Sequence, residues 1–494
     1  MASSSTTRIA PEHDETARLQ AVLRKQQAAF SAEGPVTLAT RIDRINRLIR
    51  LTAENGTAIV EALRADFGGA RSSHVTMMTE IISKVQGMEH ARDHLAAWMK
   101  PESRQTNAPF NSLGATSEVI FQPKGVVGII SPWNMAFGLA VAPLTSVLAA
   151  GNRAMIKPSE FTPQTSALFV ELFGRYFDES EVAVIVGGAD VGAAFARLPL
   201  DHLIFTGSTT VGRHIMRAAA ENLVPVTLEL GGKSPVIVGK SSSFAKTATS
   251  LAFGKMMNGG QLCLSPDYAL LPRGREDEFV NAFAGEIRSM YPTVVDNPDF
   301  TGVFNDAHFA RLAGYIEDAR KKGARVTIVN PIKHAEQQAS RRMPVHILQD
   351  VTEDMAVMQD EIFGPLLPVM PYDDIADAVS FVGRRAKPLG LYYFGEDKEE
   401  EAFVLDNTQS GGVTVNDVLL HYAQEDLPFG GIGPSGMGAY HGHDGFLTFS
   451  HVRAVFRQGE QATYGALRPP FTPELLQHFQ SELLQRVTPK PVSN

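Results

Sequence analysis

The chain has 494 residues, 44% hydrophobic and 20% charged, and a formal net charge of −9. That length exceeds one compact core and predicts roughly two to four domain-sized units; the acidic balance argues against nucleic acid or an anionic membrane as partner, while leaving room for a local basic pocket around one cofactor phosphate. With Cys263 as the single cysteine, no intramolecular disulfide can form, and a cytoplasmic protein is expected.

The stretch Met1 to Arg8 is Ser/Thr-rich and lacks the apolar core of a signal peptide; Glu12, Asp14 and Glu15 follow at once. From Glu15 to about Phe67 the pattern is helical, with Ile42, Ile45, Leu48 and Ile49 on one face and Arg41, Asp43, Arg44, Asn46 and Arg47 filling the other. A second helical stretch runs from Val75 to about Met99. The most apolar segment, Met135 to Ala150, contains Pro143 and falls short of the ~20 residues a bilayer span needs. It reads as a buried helix, and the chain as soluble.

Between Gly125 and Val238 the rhythm changes. Short apolar runs at Val126–Ile130, Ala154–Ile156, Val182–Val186, His202–Phe205, Val226–Leu230 and Val236–Val238 alternate with helical stretches. One of these opens with Thr162-Pro163, an N-cap followed by proline at the first helical position, and runs over Ser166–Phe177. Such alternation predicts a doubly wound parallel sheet, which binds ligands beyond the carboxyl ends of its strands. A second α/β rhythm follows Phe253, with strands near Tyr268–Leu271, Val326–Val329, Leu367–Met370, Leu391–Phe394 and Gly412–Val415. From Pro469 on, prolines 470, 473, 489 and 491 around one short helix suggest an arm that packs elsewhere.

Two literal motif matches carry no chemistry. Gly431-Ile-Gly-Pro-Ser-Gly436 has the dinucleotide-loop spacing, but Pro434 interrupts it, no βαβ unit follows, and a tight turn is expected instead. Gly232-Lys-Ser234 has Thr227 where a phosphate loop needs its first glycine. His441 and His443 lack further ligands at metal-binding spacing, and no metal site is expected.

Other segments are chemically suggestive. Cys263 closes Asn258-Gly-Gly-Gln-Leu-Cys263. A solitary cysteine is usually a small buried hydrophobe, yet Gly259-Gly260 leaves the backbone open beside this thiol, as a substrate-reached nucleophile requires. Glu229 ends an apolar strand, where a carboxylate is expected to have a raised pKa suited to general-base work, or else an ion-pair partner. Asn134, in Ser131-Pro-Trp-Asn134, either donates its amide to a developing oxyanion or simply forms a turn. Lys157 and Glu160 follow the second strand and can grip ribose hydroxyls or stand as an exposed loop pair. Thr206-Gly-Ser-Thr-Thr-Val-Gly212 opens a helix, whose free N–H groups attract a pyrophosphate.

Taken in order, Pro132-Trp-Asn134, Lys157-Pro-Ser-Glu160, Phe205-Thr-Gly-Ser208, Glu229-Leu-Gly-Gly-Lys233, Gly260-Gln-Leu-Cys263 and Glu361-Ile-Phe-Gly-Pro365 resemble the aldehyde dehydrogenase superfamily. The segment Leu427 to Gly442, with Thr448-Phe-Ser-His451, is similar to its class 3 branch, and the chain as a whole to coniferyl-aldehyde dehydrogenases. The resemblance implies an α/β architecture: helices in 1–104, a bridging β-arm over 105–123 with part of the C-terminal tail, a Rossmann-like cofactor domain over 124–230, a catalytic α/β domain over 231–427, and a return and tail over 428–494. It further implies that Cys263 attacks an aldehyde, that Asn134 and the Cys263 N–H hold the oxyanion, and that Glu229 activates water. NAD, with NADP as the second possibility, would be held by Trp133, Lys157, Glu160, Gly207, Ser208, Gly212, Leu230, Glu361 and Phe363. A homodimer or homotetramer is expected. Glu160 would repel a 2′-phosphate, which favours NAD.

Two positions depart from the family's pattern. Met135-Ala136 stands where Tyr-Pro is frequent, and Gly259 where class 3 commonly has alanine. Met135, Phe137 and Leu262 are the candidate wall for a bulky aromatic or medium-to-long-chain aldehyde. Two other functions are considered: an acylating enzyme passing the thioester to coenzyme A, against which Glu229 argues, and a catalytically retired protein on the same fold.

Overall fold

The computed structural model describes residues 12–460 and 468–487; Met1–Arg8, Pro489 and Pro491 lie outside the described residues. The N-terminal helical stretch is three helices, Glu12–Glu33, Leu38–Glu54 and Gly56–Asp66. It breaks first at Gly34-Pro35, where Gly34 takes a φ of +67° that other residues resist, and Thr37 then caps the second helix by accepting from the Thr40 N–H. Ile45 and Leu48 are buried as the periodicity requires. Arg41 and Arg44, expected on the outer face, are buried too. Their charge is met locally: Arg44 pairs with Glu33 and Glu181 at 2.8 and 3.0 Å, and Arg41 donates to the Ala149 carbonyl at 3.0 Å. The Val75–Met99 stretch is also interrupted, by a π-helical turn at Met77–Ile82 ahead of the helix Ser83–Trp98.

Residues up to Trp98 together with Pro123–His451 make one compact unit. It holds two sheets. The first has six strands in the order Gly436–Met437, Val226–Leu230, His202–Gly207, Val126–Ile130, Arg153–Lys157, Val182–Val184. All its pairs are parallel except the first, where Gly436 lies antiparallel to Glu229. The second has seven strands in the order Arg325–Val329, Val345–Gln349, Leu366–Tyr372, Tyr268–Pro272, Pro235–Val238, Gly390–Phe394, Gly412–Val415. Only its edge strand, Arg325–Val329, runs antiparallel. Parallel strands sandwiched between helices are apolar on both faces, which is why they read as continuous runs. The second sheet accordingly has a core on each side, one around Leu312, Met358 and Leu391, the other around Phe279, Phe283 and Tyr392.

Met99–Gln122 and the residues from Val452 on form a second, smaller unit. Glu102–Arg104 pairs antiparallel with Thr116–Pro123, Ser450–Arg457 joins them in a three-stranded sheet, and Arg457 meets Glu118 at 2.6 Å. The helix Pro473–Arg486 leaves Leu476, Leu483 and Leu484 exposed.

The apolar segment after Asn134 forms the helix Gly138–Ala149, buried all round. Phe137, expected as a substrate contact, is instead core: it is fully buried and sets its ring edge-on to Phe169 at 5.5 Å. The turn that presents Asn134 to one side sends Phe137 to the other. We therefore expect Phe137→Ala to lower folding stability by about 3–5 kcal/mol, the usual cost of truncating a buried phenylalanine. Denaturant unfolding checks this; a loss under ~1 kcal/mol would mean the ring is not core.

Candidate active site

Three segments converge where the first sheet gives way to the second. Glu229 stands on the strand Val226–Leu230 and is 1% exposed. Asn134 follows the strand Val126–Ile130 and is 4% exposed. Cys263, part-exposed, follows a short 3₁₀ turn, Met257–Gly260. In that turn Asn258 and Gly259 adopt left-handed φ of 50° and 64°, conformations natural to glycine and tolerated by asparagine.

The strained turn is tied down from every side. Asn258 Nδ2 donates to the Asn134 carbonyl at 3.1 Å, and Gln261 Nε2 donates to the Asn258 and Gly302 carbonyls at 2.9 and 3.0 Å. Gln261 Oε1 accepts from the Phe304 N–H at 2.8 Å. Asn134 Nδ2 donates to the Gln261 carbonyl at 3.0 Å, which uses one of its two amide hydrogens and leaves the other for an incoming acceptor.

The electrostatics follow from desolvation. Neither carboxylate oxygen of Glu229 has a hydrogen-bond partner. Burial pushes its pKa up to about 7, against the weaker pull of Cys263 and Thr206 beside it. The raised value expected from its apolar strand is thus present, and the ion-pair reading fails. Burial, then the charges of Glu229 and Glu361, push the Cys263 thiol well above its ordinary value. Burial and the neighbouring Asp267 and Glu229 carboxylates raise Glu361 to about 8, although the Gly232 N–H and Lys233 pull the other way. Lys233 ties the Asp267 carboxylate to the Val357 and Asp360 carbonyls (2.8 Å each), and Asp267 accepts from the Ile362 N–H at 3.0 Å. The lysine that resembled part of a phosphate loop is therefore a clamp on the Glu361 loop.

These side chains line a cleft of about 370 Å³ bounded by Trp133, Asn134, Glu229, Cys263, Glu361 and Phe363. Through Trp133, Thr206, Gly207 and Ser208 it borders a second cleft of about 650 Å³ at the carboxyl ends of the first sheet, lined by Lys157 and Glu160. Lys157 Nζ meets Glu160 at 2.9 Å. Burial works to raise the Glu160 pKa, but the Lys157 hydrogen bond and charge and its own backbone hold it below the usual value. Ser208 caps the helix Thr209–Ala220, accepting from the Val211 N–H at 3.3 Å. Gly212 lies at the contact between that helix and its strand, where a Cβ would meet Leu230 at 2.7 Å; its role is close packing, whereas Gly207 and Ser208 line the cleft. Met135 lies against Arg71, its sulfur 3.3 Å from Nη2; Met135 and Leu262 are both half-buried. Residues beyond the sequence reading also line the cysteine cleft, notably His308, Arg311, Tyr315 and Asp360. The first three repeat at helical spacing on Asp306–Lys321, a stripe visible in the sequence but indistinguishable there from an ordinary solvated face.

The aldehyde dehydrogenase family model matches residues 4–455. A probable coniferyl aldehyde dehydrogenase of Caulobacter vibrioides is 51% identical over 454 residues, 91% of this chain and 93% of that protein. The coniferyl aldehyde dehydrogenase of a Pseudomonas species is 47% identical over 456 residues, 92% and 94% of the two chains. Among solved structures, the Mycobacterium tuberculosis aldehyde dehydrogenase complexed with NAD+ matches at a TM-score of 0.80 and 27% identity, over 91% of this chain and 92% of that one. The chain belongs to the aldehyde dehydrogenase family. It is an enzyme, and NAD(P)-dependent oxidation of aldehydes is the family's general activity.

The clefts fit that cofactor. Glu361 Oε1 is buried without a partner, an acceptor waiting for a hydroxyl donor, while Lys157 and Glu160 stand at the far end beyond a capped helix N-terminus. Among the described residues, no helix is long and apolar enough to cross a membrane.

The raised pKa of Glu229 has a signed consequence. Its folded value, about 7, lies above the ordinary 4.5, so its contribution to stability is fully present below about 4.5 and is lost as pH rises through about 7. Glu229→Gln, always neutral, should therefore unfold at a higher temperature than the parent at pH 8, with the difference shrinking as pH falls and vanishing near pH 4. Thermal melts at the two pH values decide it, and an unchanged difference would mean that Glu229 is not desolvated.

Proposed function

We propose that this enzyme oxidises a bulky aromatic aldehyde of the coniferyl type, or a medium-to-long-chain aliphatic one, to its carboxylic acid with NAD. The observation that carries the chemistry is the convergence of an accessible thiol, a carboxylate with a pKa of about 7 and a half-engaged amide in one cleft. Cys263 Sγ adds to the aldehyde carbon, its proton passing to Glu229, whose carboxylate form is populated near neutrality. The free amide hydrogen of Asn134 and the Cys263 N–H donate to the resulting oxyanion. A nicotinamide cofactor held in the adjoining cleft would supply the hydride acceptor, so that loss of hydride from that adduct leaves a thioester on Cys263. Glu229 releases the thiol proton to solvent and, again a carboxylate, takes a proton from water; the hydroxide adds to the thioester carbon, and the thiolate leaves as the acid is released. The same cleft buries apolar surface around Trp133 and Phe363, at ~25 cal/mol per Å².

The names of the relatives at 47 and 51% identity support the coniferyl reading. Glu160, held charged beside Lys157, supports NAD over its 2′-phosphate.

Two outcomes follow. Cys263→Ala should abolish NADH formation while cofactor binding, read by calorimetry, stays within about twofold; substantial turnover would defeat the nucleophile assignment. In a panel run with both cofactors, kcat/KM for coniferyl aldehyde or octanal should exceed that for acetaldehyde by at least roughly tenfold, and NAD should outperform NADP. Equal efficiency with acetaldehyde, or a clear preference for a dicarboxylic semialdehyde, would overturn the substrate class.

A further inference from the structure

The helical stretch over residues 73–98 widens for six residues near its start. Met77–Ile82 is π-helical, a form that is rare and concentrates at functional sites. It carries Glu80, whose side chain is fully buried against Arg71, itself 2% exposed. A buried ion pair of this kind is weak evidence for stability, since apolar replacements often do as well. What this pair does touch is specific. Glu80 Oε1 takes Arg71 Nη2, while its Oε2 accepts from the Phe137 and Gly138 N–H groups at 3.0 and 2.9 Å. Arg71 Nη1 donates to the Asn134 carbonyl at 3.0 Å, its Nε to Thr76 Oγ1 at 3.0 Å, and its guanidinium lies 4.7 Å over the Phe67 ring.

The pair thus grips the backbone of one turn at both ends. The Asn134 carbonyl receives Arg71 from one side and Asn258, from the nucleophile's own turn, from the other. With both approaches filled, the peptide plane after Asn134 is fixed, and with it the direction in which the side chain leaves the backbone. We propose that Arg71 and Glu80 are positioning residues for the reaction, holding Asn134 so that its free amide hydrogen points at the aldehyde oxygen. This rests on Asn134 being an oxyanion donor. An arginine is needed because its planar fork satisfies Glu80, Thr76 and the Asn134 carbonyl at once, which a lysine cannot.

The test is a double-mutant cycle on kcat, with rates expressed per folded molecule from circular dichroism. Arg71→Lys keeps the charge but loses the fork, and should lower kcat by about 10- to 100-fold, the scale of a misplacement near 1 Å, with the KM for NAD unchanged. In an Asn134→Ala background the same substitution should cost less than about twofold, because the group it positions is already gone. Glu80→Gln should show the same pattern and serves where Arg71→Lys does not fold. If Asn134→Ala alone keeps the parental kcat, the oxyanion reading falls and this proposal with it. If Asn134→Ala is impaired but Arg71→Lys leaves kcat unchanged, or its loss persists in full in the alanine background, the positioning role alone is overturned.

Discussion

The site depends on a single short crossing. After Leu230 the chain leaves the first sheet, and by Pro235 it has entered the second. Parallel strands present their carboxyl ends on one side, so a crossing this short keeps the end of the first sheet beside the start of the second. Glu229 is thereby placed at the seam. Lys233, within the crossing, grips the Val357 and Asp360 carbonyls and the Asp267 carboxylate. One lysine so determines where the Glu361 loop lies relative to Glu229. Gly231 belongs to the same logic: a Cβ there would fall 2.1 Å from the Glu361 carboxylate.

Around that seam, charge is handled in two ways. Structural charges are buried with their partners, as with Arg71 and Glu80 or Lys233 and Asp267. Lys255 is a milder case: fully buried, it donates to the Pro266 carbonyl at 2.8 Å, and burial brings its pKa down to about 8. The groups proposed for the chemistry are buried without partners, as with both oxygens of Glu229 and Oε1 of Glu361. A paired carboxylate holds a backbone in place; an unpaired one, as at Glu229, has its pKa pushed up by burial and can exchange a proton near neutrality. One fold uses the same side chain for both purposes by supplying or withholding a donor.

Sequence made part of this legible. Cys263, Glu229 and Asn134 stood out because each sits in an unusual local context: a glycine pair, the end of an apolar strand, a Pro-Trp turn. The parallel strands were visible as apolar runs. The strand Val345–Gln349 was not, since His346 interrupts its run; the imidazole is accommodated by donating its Nδ1–H to the Pro344 carbonyl at 2.7 Å and by a pKa brought down by burial to about 4. Phe137 was misplaced because closeness in sequence to Asn134 says nothing about direction once the chain turns. Arg71 and Glu80 were silent altogether. Arg71 precedes the helical stretch and Glu80 lies within it, and neither spacing nor local context in the sequence marks them as a buried pair.

Local rules break at the cleft proposed for the chemistry. Buried polar atoms are nearly always satisfied in folded proteins, and residues other than glycine avoid positive φ, at a cost of about 1–3 kcal/mol each where they are held there. Here the orphaned oxygens of Glu229 and Glu361 line the same cleft as Phe363, whose φ is 51°, and adjoin Asn258, whose φ is 50°. Glu361 and Phe363 lie two residues apart in one loop, so a single backbone distortion brings a ring and an unsatisfied carboxylate to the cleft together. A fold selected for stability alone would relax each of these features: a glutamine for Glu229, an asparagine or glycine for Phe363. Their presence in one place is explained by a reacting molecule whose own hydroxyls, charge and apolar rings complete what the chain leaves open.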